Sequence, residues 1–163
     1  MSLRQRRSPR LQGYDYSQEG AYFLTICTHE RRHLFGMIQD GRVILSALGE
    51  IAAQELQQLP SHWPTIILDV IVVMPNHVHA IVVLSTNAAN PQGASPTLGQ
   101  IVGNYKGGVT RLARQRNLTD VEIWQGRYHD HIIRNEKAFE TIQAYIMTNP
   151  ERWQNDVFYT AEM

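Results

Sequence analysis

Apolar residues recur along the chain in runs whose spacing predicts alternating strands and helices. Runs rich in β-branched and aromatic residues are typical of strands and lie at 21–28 (AYFLTICT), 66–74, 77–84 and 128–134. Longer segments keep apolar residues at helical spacing and lie at 47–59, 97–116 and 136–148. Ser46 and Asn135 can cap two of these helices, and Asp40-Gly41 is a hairpin signal. The predicted order is strand, helix, two strands, helix, strand, helix.

This order predicts an α+β fold of the ferredoxin-like (RRM-like) class. In that fold an antiparallel sheet carries helices on one face, and here a further C-terminal helix is added. With 163 residues, 43% of them hydrophobic, the chain suits one domain with a core better than two. We therefore expect a basic N-terminal arm at 1–20, a single domain at 21–150 and a C-terminal tail at 151–163.

The formal net charge of zero hides an uneven distribution of charge. No acidic residue lies between Asp69 and Asp120. Basic residues are gathered in that interval and in the arm, at Lys106, Arg111, Arg114 and Arg116 and at Arg4, Arg6, Arg7 and Arg10. Such segments are what a polyanion-binding surface needs, although solvated faces and a frayed terminus give the same pattern.

The single cysteine and the lack of long apolar stretches indicate the cellular compartment of the protein. Cys27 has no partner for a disulfide within the chain, so a reducing compartment is the simpler expectation. No apolar stretch is long enough to span a bilayer, and the Arg-rich start is not followed by a signal-peptide core. These features predict a cytoplasmic protein without membrane contact.

Two histidines interrupt the apolar stretch VIVVMPNHVHAIVVL at 70–84. Side chains two positions apart in a strand share a face, so His77 and His79 point the same way. Two neutral imidazoles at this spacing can hold one divalent cation, whereas ordinary hydrogen-bonded core histidines are the alternative. The pair alone does not distinguish zinc hydrolases, nucleotide hydrolases and DNA-nicking enzymes. A nucleotide-hydrolase motif with three alternating histidines would need histidine where the chain has Ile81.

The predicted helix at 136–148 carries a second set of candidate residues. Tyr145 lies at the edge of its apolar stripe, and Asn149 follows four residues later. Residues at i and i+4 are neighbours on a helix, so a phenol and an amide would face the same spot. A rim aromatic and a helix C-cap would account for the same residues without any catalytic role.

Three motifs together resemble the single-tyrosine HUH transposases. They are GYDYSQEGAYFLTICTHERRHLFG near the start, MPNHVHAIV in the middle and WQGRYHDHIIRNEKAFETIQAYIMTNP near the end. The pattern is most similar to the REP-associated tyrosine transposases, which are related to insertion-sequence transposases. The resemblance runs from about Arg7 to Pro150, with the motifs in the family's order.

The resemblance implies a role for each matched residue. His77 and His79 would be metal ligands, and Tyr145 would be the nucleophile that forms a 5′-phosphotyrosine. Related insertion-sequence enzymes place a glutamine ligand four residues after the tyrosine, and the shorter Asn149 at that position would be the third metal ligand here. The following proline, Pro150, is expected to push the Asn149 backbone out of the helical region.

The resemblance also implies a cofactor and a nucleic-acid partner. The cofactor would be Mg²⁺ or Mn²⁺, although two imidazoles alone favour later metals such as zinc. The partner would be single-stranded or hairpin DNA, contacted by basic side chains, namely Arg4, Arg6, Arg7, Lys106, Arg111, Arg114 and Arg127. Related enzymes act as dimers with shared sites or as monomers, so a homodimer stays open.

Two other functions compete with strand transfer. A metal-dependent phosphodiester hydrolase would use His77 and His79 without needing Tyr145. A non-catalytic nucleic-acid-binding module would use the sheet surface, but such modules stack bases on sheet aromatics, and the segment 66–84 has none.

Overall fold

The structure is a computed structural model that describes residues 20–85 and 96–161. The predicted arm residues Arg4, Arg6 and Arg7 therefore lie outside the described residues. None of the helices within these ranges has the length and apolar character needed to cross a membrane.

The described chain forms six strands, four α-helices and two short 3₁₀ helices. Four of the strands and three of the α-helices follow the predicted order, and a hairpin of two short strands and one short helix are added to them. The strands are β1 (Gly20–Cys27), β2 (Gly36–Gln39), β3 (Arg42–Leu45), β4 (Ile66–Met74), β5 (His77–Leu84) and β6 (His129–Ile133). The α-helices are α1 (Ala47–Gln57), α2 (Leu59–His62), α3 (Leu98–Gln115) and α4 (Glu136–Met147). The 3₁₀ helices are His29–Arg31 and Pro150–Asn155.

Local signals fix most of these boundaries. Ser46 caps α1 by accepting a hydrogen bond from the Gly49 amide at 3.0 Å, and Asn135 caps α4 in the same way. The turn between β2 and β3 has positive φ at Asp40 (52°) and Gly41 (72°), as a tight hairpin turn requires. At Gly49 the first turn of α1 passes so close to the Phe35 carbonyl oxygen that a Cβ would overlap it.

The main sheet has the strand order β4-β5-β1-β6, and every neighbouring pair is antiparallel. With α1 and α3 in the crossover connections, this is the predicted ferredoxin-like arrangement, and the α+β fold class is confirmed. The hairpin of β2 and β3 forms a separate two-stranded sheet.

The sheet is covered on both faces. Tyr22, Leu24 and Ile26 of β1 point into the larger core, which they share with the apolar sides of α1 and α3. On the opposite face, Ile81 of β5 packs against Ile146 of α4 in a smaller core. Because side chains alternate along a strand, the odd-numbered residues of β5 all point towards α4. The two predicted ligands of β5 therefore share a face with the helix that carries the tyrosine.

Candidate active site

His77 and His79 lie side by side on β5 and are both buried, with exposed fractions of 0%. Their ring centroids are 4.4 Å apart. The Nδ1 atom of His79 lies 2.9 Å from the hydroxyl oxygen of Thr25 on the neighbouring strand β1. The Nδ1 atom of His77 lies 2.7 Å from Asn76 Oδ1. Hydrogen bonds at Nδ1 fix the orientation of each ring, as is usual for metal-ligating histidines.

The hydrogen bonds around His77 determine its tautomer. Asn76 Nδ2 donates to the Phe158 carbonyl oxygen at 2.8 Å, so Asn76 Oδ1 can only accept. His77 Nδ1 must therefore be the donor, and the neutral ring carries its lone pair on Nε2. Burial and the neighbouring His79 lower the pKa of His77 well below its ordinary value, although the Asn149 side chain acts in the opposite direction. His77 is therefore neutral at physiological pH, with Nε2 able to bind a metal.

Tyr145 of α4 packs against His79 of the histidine pair. Its ring centroid lies 5.6 Å from that of His79 and 6.2 Å from that of Phe23 on β1. The residue is half-buried, and the contact is made within one chain. The structure thus brings the predicted nucleophile to the two predicted ligands.

Asn149 also reaches this cluster and is 2% exposed. Its backbone keeps helical angles (φ −57°, ψ −44°), so the expectation that Pro150 would push it out of the helical region was wrong. The preference imposed by a following proline is a tendency, and here the helical residue leads directly into the 3₁₀ helix Pro150–Asn155. Asn149 Nδ2 donates to Asp156 Oδ2 at 2.6 Å. Its Oδ1 is buried and has no hydrogen-bond partner among the described residues.

Asp156 is the member of the cluster that sequence reasoning missed. One of its carboxylate oxygens and one ring nitrogen each of His77 and His79 all lie within 4.8 Å of one another. These three residues therefore form a group that can hold a metal ion. Burial raises the pKa of Asp156, while hydrogen bonds from the Phe158 backbone, Asn149 and Tyr145 act in the opposite direction.

The segment that carries Asp156 lies within the predicted tail. Its described part covers the histidine face of the sheet, because Trp153 and Phe158 are buried there. The Phe158 ring centroid lies 4.8 Å from that of His77, and the Trp153 centroid lies 6.2 Å from it. Two large apolar residues so close to Asp156 in sequence were the one signal that this segment packs on the domain.

The four predicted DNA-binding cations that the structure describes lie on elements other than those that carry the histidines and the tyrosine. Arg111 and Arg114 are exposed on α3, which packs on the opposite face of the sheet. Lys106 is half-buried and donates to the Gln125 carbonyl oxygen at 2.7 Å, and burial lowers its pKa. Arg127 is exposed in the loop before β6. These four residues remain predictions as DNA contacts.

Known proteins resemble the chain in sequence and in fold. No family model matches the sequence. An uncharacterized protein of Haemophilus influenzae is 37% identical over 171 aligned positions, which cover 96% of this chain and 94% of the relative.

Two solved structures share the fold. A REP-associated tyrosine transposase bound to a REP hairpin superposes with a TM-score of 0.62 and 22% identity, over 86% of this chain and 72% of that one. A candidate transposase of Deinococcus radiodurans R1 has a TM-score of 0.51 and 19% identity, over 85% of this chain and 95% of that one. The chain therefore belongs to the same family as the Haemophilus influenzae protein, and its fold is that of the REP-associated tyrosine transposases, as the three motifs predicted.

Proposed function

We propose that the protein cleaves and rejoins single-stranded DNA through a 5′-phosphotyrosine at Tyr145. The observation that supports this proposal is the contact between Tyr145 and His79, whose ring centroids lie 5.6 Å apart although they belong to different elements. A nucleophile beside paired imidazoles is the arrangement that the resemblance implies. The solved relative bound to a REP hairpin supports hairpin DNA as the substrate.

The residues of the cluster fit a divalent cation. His77 presents a neutral Nε2, and Asn149 presents a buried Oδ1 without a partner among the described residues. Two acceptors without a donor are costly to bury, and a cation would satisfy both. His77, His79 and Asn149 are the ligands that we propose, with Mg²⁺ or Mn²⁺ as the ion. When bound, the cation would offset charge on a non-bridging oxygen of the DNA phosphate.

The reaction exchanges one phosphodiester for another. The Tyr145 hydroxyl has an ordinary pKa of about 10, so its oxygen must lose a proton as it attacks phosphorus. The bond between phosphorus and the 3′ oxygen breaks, and that oxygen leaves as a 3′-hydroxyl. The 5′ phosphate stays on the tyrosine. A second 3′-hydroxyl can then attack the phosphotyrosine and join the strands, without a nucleotide cofactor.

The geometry supports a site that is complete within one chain. Tyr145 contacts His79 of the same chain, and Asn149 lies at the end of the same helix. The proposed reaction therefore needs no residue from a second subunit. If a homodimer forms, this arrangement predicts that mixing inactive His79 and Tyr145 variants restores no activity.

Covalent capture tests the proposal. A hairpin oligonucleotide labelled 3′ to the nick is incubated with and without Mn²⁺ and separated on a denaturing gel. We expect a labelled protein band that needs the metal, is lost in Tyr145→Phe and persists in Tyr159→Phe. Tyr159 is a matched control because it is partly exposed in the same region of the chain.

Two outcomes would contradict the proposal. Cleavage that yields only free DNA and survives Tyr145→Phe would indicate a hydrolase. A label found on the protein only when it lies 5′ to the nick would indicate a 3′-linked intermediate.

The cations on α3 need a separate test, because DNA at the histidines would have to extend round the sheet to reach them. We expect charge reversal at Arg111 and Arg114 to weaken hairpin binding and to reduce its dependence on salt. Charge reversal at Glu136, an exposed residue at the start of α4, adds a positive charge on another surface and controls for net charge. Unchanged binding and an unchanged salt slope in the α3 variant would exclude this surface.

A further inference from the structure

Asp156 occupies a position from which it can contact both the candidate metal ligands and the nucleophile. It follows the 3₁₀ helix Pro150–Asn155 and is half-buried. The ligand atoms of His77, His79 and Asp156 lie within 4.8 Å of one another. Two ligands of one ion lie up to about 4.2 Å apart, twice a metal–ligand distance of about 2.1 Å. A small adjustment of these side chains would bring the three ligand atoms to that spacing.

Hydrogen bonds hold the Asp156 carboxylate in place and leave it room for one more partner. Oδ1 accepts from the Phe158 amide at 2.7 Å, and Oδ2 accepts from Asn149 Nδ2 at 2.6 Å. A hydrogen bond from Tyr145 is the third. An ionised carboxylate has about four acceptor sites, so one remains.

Resting on the proposed metal-dependent reaction, we propose that Asp156 is a carboxylate ligand of the cation held by His77 and His79. Its hydrogen bond to Tyr145 then positions the nucleophile beside that cation. A carboxylate oxygen also adds a hard ligand to two imidazoles and an amide oxygen. This ligand set binds Mn²⁺ and Mg²⁺ better than two histidines alone would. The segment around Trp153 and Phe158 becomes part of the metal site because it delivers this ligand.

Metal binding without DNA tests the proposal. The dissociation constant for Mn²⁺ is measured by calorimetry on the full chain, wild type and Asp156→Asn. We expect the substitution to raise it by about tenfold or more, in the range seen when groups supporting a metal site are removed. Asp69→Asn is the matched control, because the exposed Asp69 carboxylate also accepts a hydrogen bond from an amide, that of Gln143 at 2.6 Å. An Asp156→Asn constant equal to that of Asp69→Asn would overturn the proposal.

A second measurement covers the case in which Asp156→Asn fails to fold. Wild-type protein labelled with carbon-13 is titrated with Mg²⁺ while the Asp156 carboxyl and the two histidine rings are followed by NMR. We expect all three to shift together. Movement of the rings without the carboxyl would overturn the proposal. Neither measurement uses DNA or the covalent adduct. A result that refutes Asp156 as a ligand can therefore be told apart from one that refutes the phosphotyrosine reaction.

Discussion

The attachment of α4 to the sheet can be tested by shortening Ile146. This side chain is fully buried and forms the smaller core with Ile81 and Ile133, directly beside Tyr145 in sequence. Ile146→Ala removes three carbons, worth roughly 2.4 kcal/mol at about 0.8 kcal/mol per buried methylene. The cavity left behind adds to this, so we expect a loss of roughly 2.5–4 kcal/mol in the free energy of unfolding.

Urea unfolding followed by circular dichroism measures this loss. For a chain of this size, with a slope of about 2 kcal/mol per molar, the midpoint should fall by about 1–2 M urea. Met147→Ala is the control, because Met147 is 69% exposed and the change should stay within about 0.5 kcal/mol. Equal midpoints for the two variants would show that α4 is not held by this core. Because α4 carries the tyrosine, the same variant should also form less covalent adduct.

Three further predictions concern protonation and backbone packing. Burial places the pKa of folded His77 below its unfolded value, so the stability that its neutral form contributes is present above about pH 6.5 and is lost as pH falls. The urea midpoint should therefore fall when the pH is lowered from about 7.5 to about 5.5, and it should fall less in His77→Gln. Burial raises the pKa of Cys27 to about 12, so a thiol reagent at pH 8 should label it only after unfolding, and rapid labelling of the folded protein would contradict its burial. Gly49→Ala should destabilise the protein by more than about 2 kcal/mol, because its Cβ would overlap the Phe35 carbonyl oxygen. Gly103→Ala on α3, where a Cβ meets nothing within 4 Å, should stabilise the protein by about 0.5–1 kcal/mol. Equal melting temperatures for the two variants would refute the packing argument.

The sequence by itself determined the elements, because their signals are local. Ser46 and Asn135 accept hydrogen bonds within three residues, and Asp40-Gly41 forms its turn without distant contacts. The strand period also placed His77 and His79 on one face before any fold was known. The expectation that Pro150 would push the Asn149 backbone out of the helical region failed, because the preference that a proline imposes on the preceding residue is weaker than the packing around it.

Only the tertiary structure decided which residues meet. Tyr145 reaches His79 because α4 packs on the face of the sheet opposite α3, and the same choice of faces separates Arg111 and Arg114 from the histidines. Asp156 joins the cluster because Trp153 and Phe158 bury the segment on either side of it. Contacts between distant parts of a chain depend on how apolar surfaces are shared among all the elements, and no single stretch of sequence contains that information.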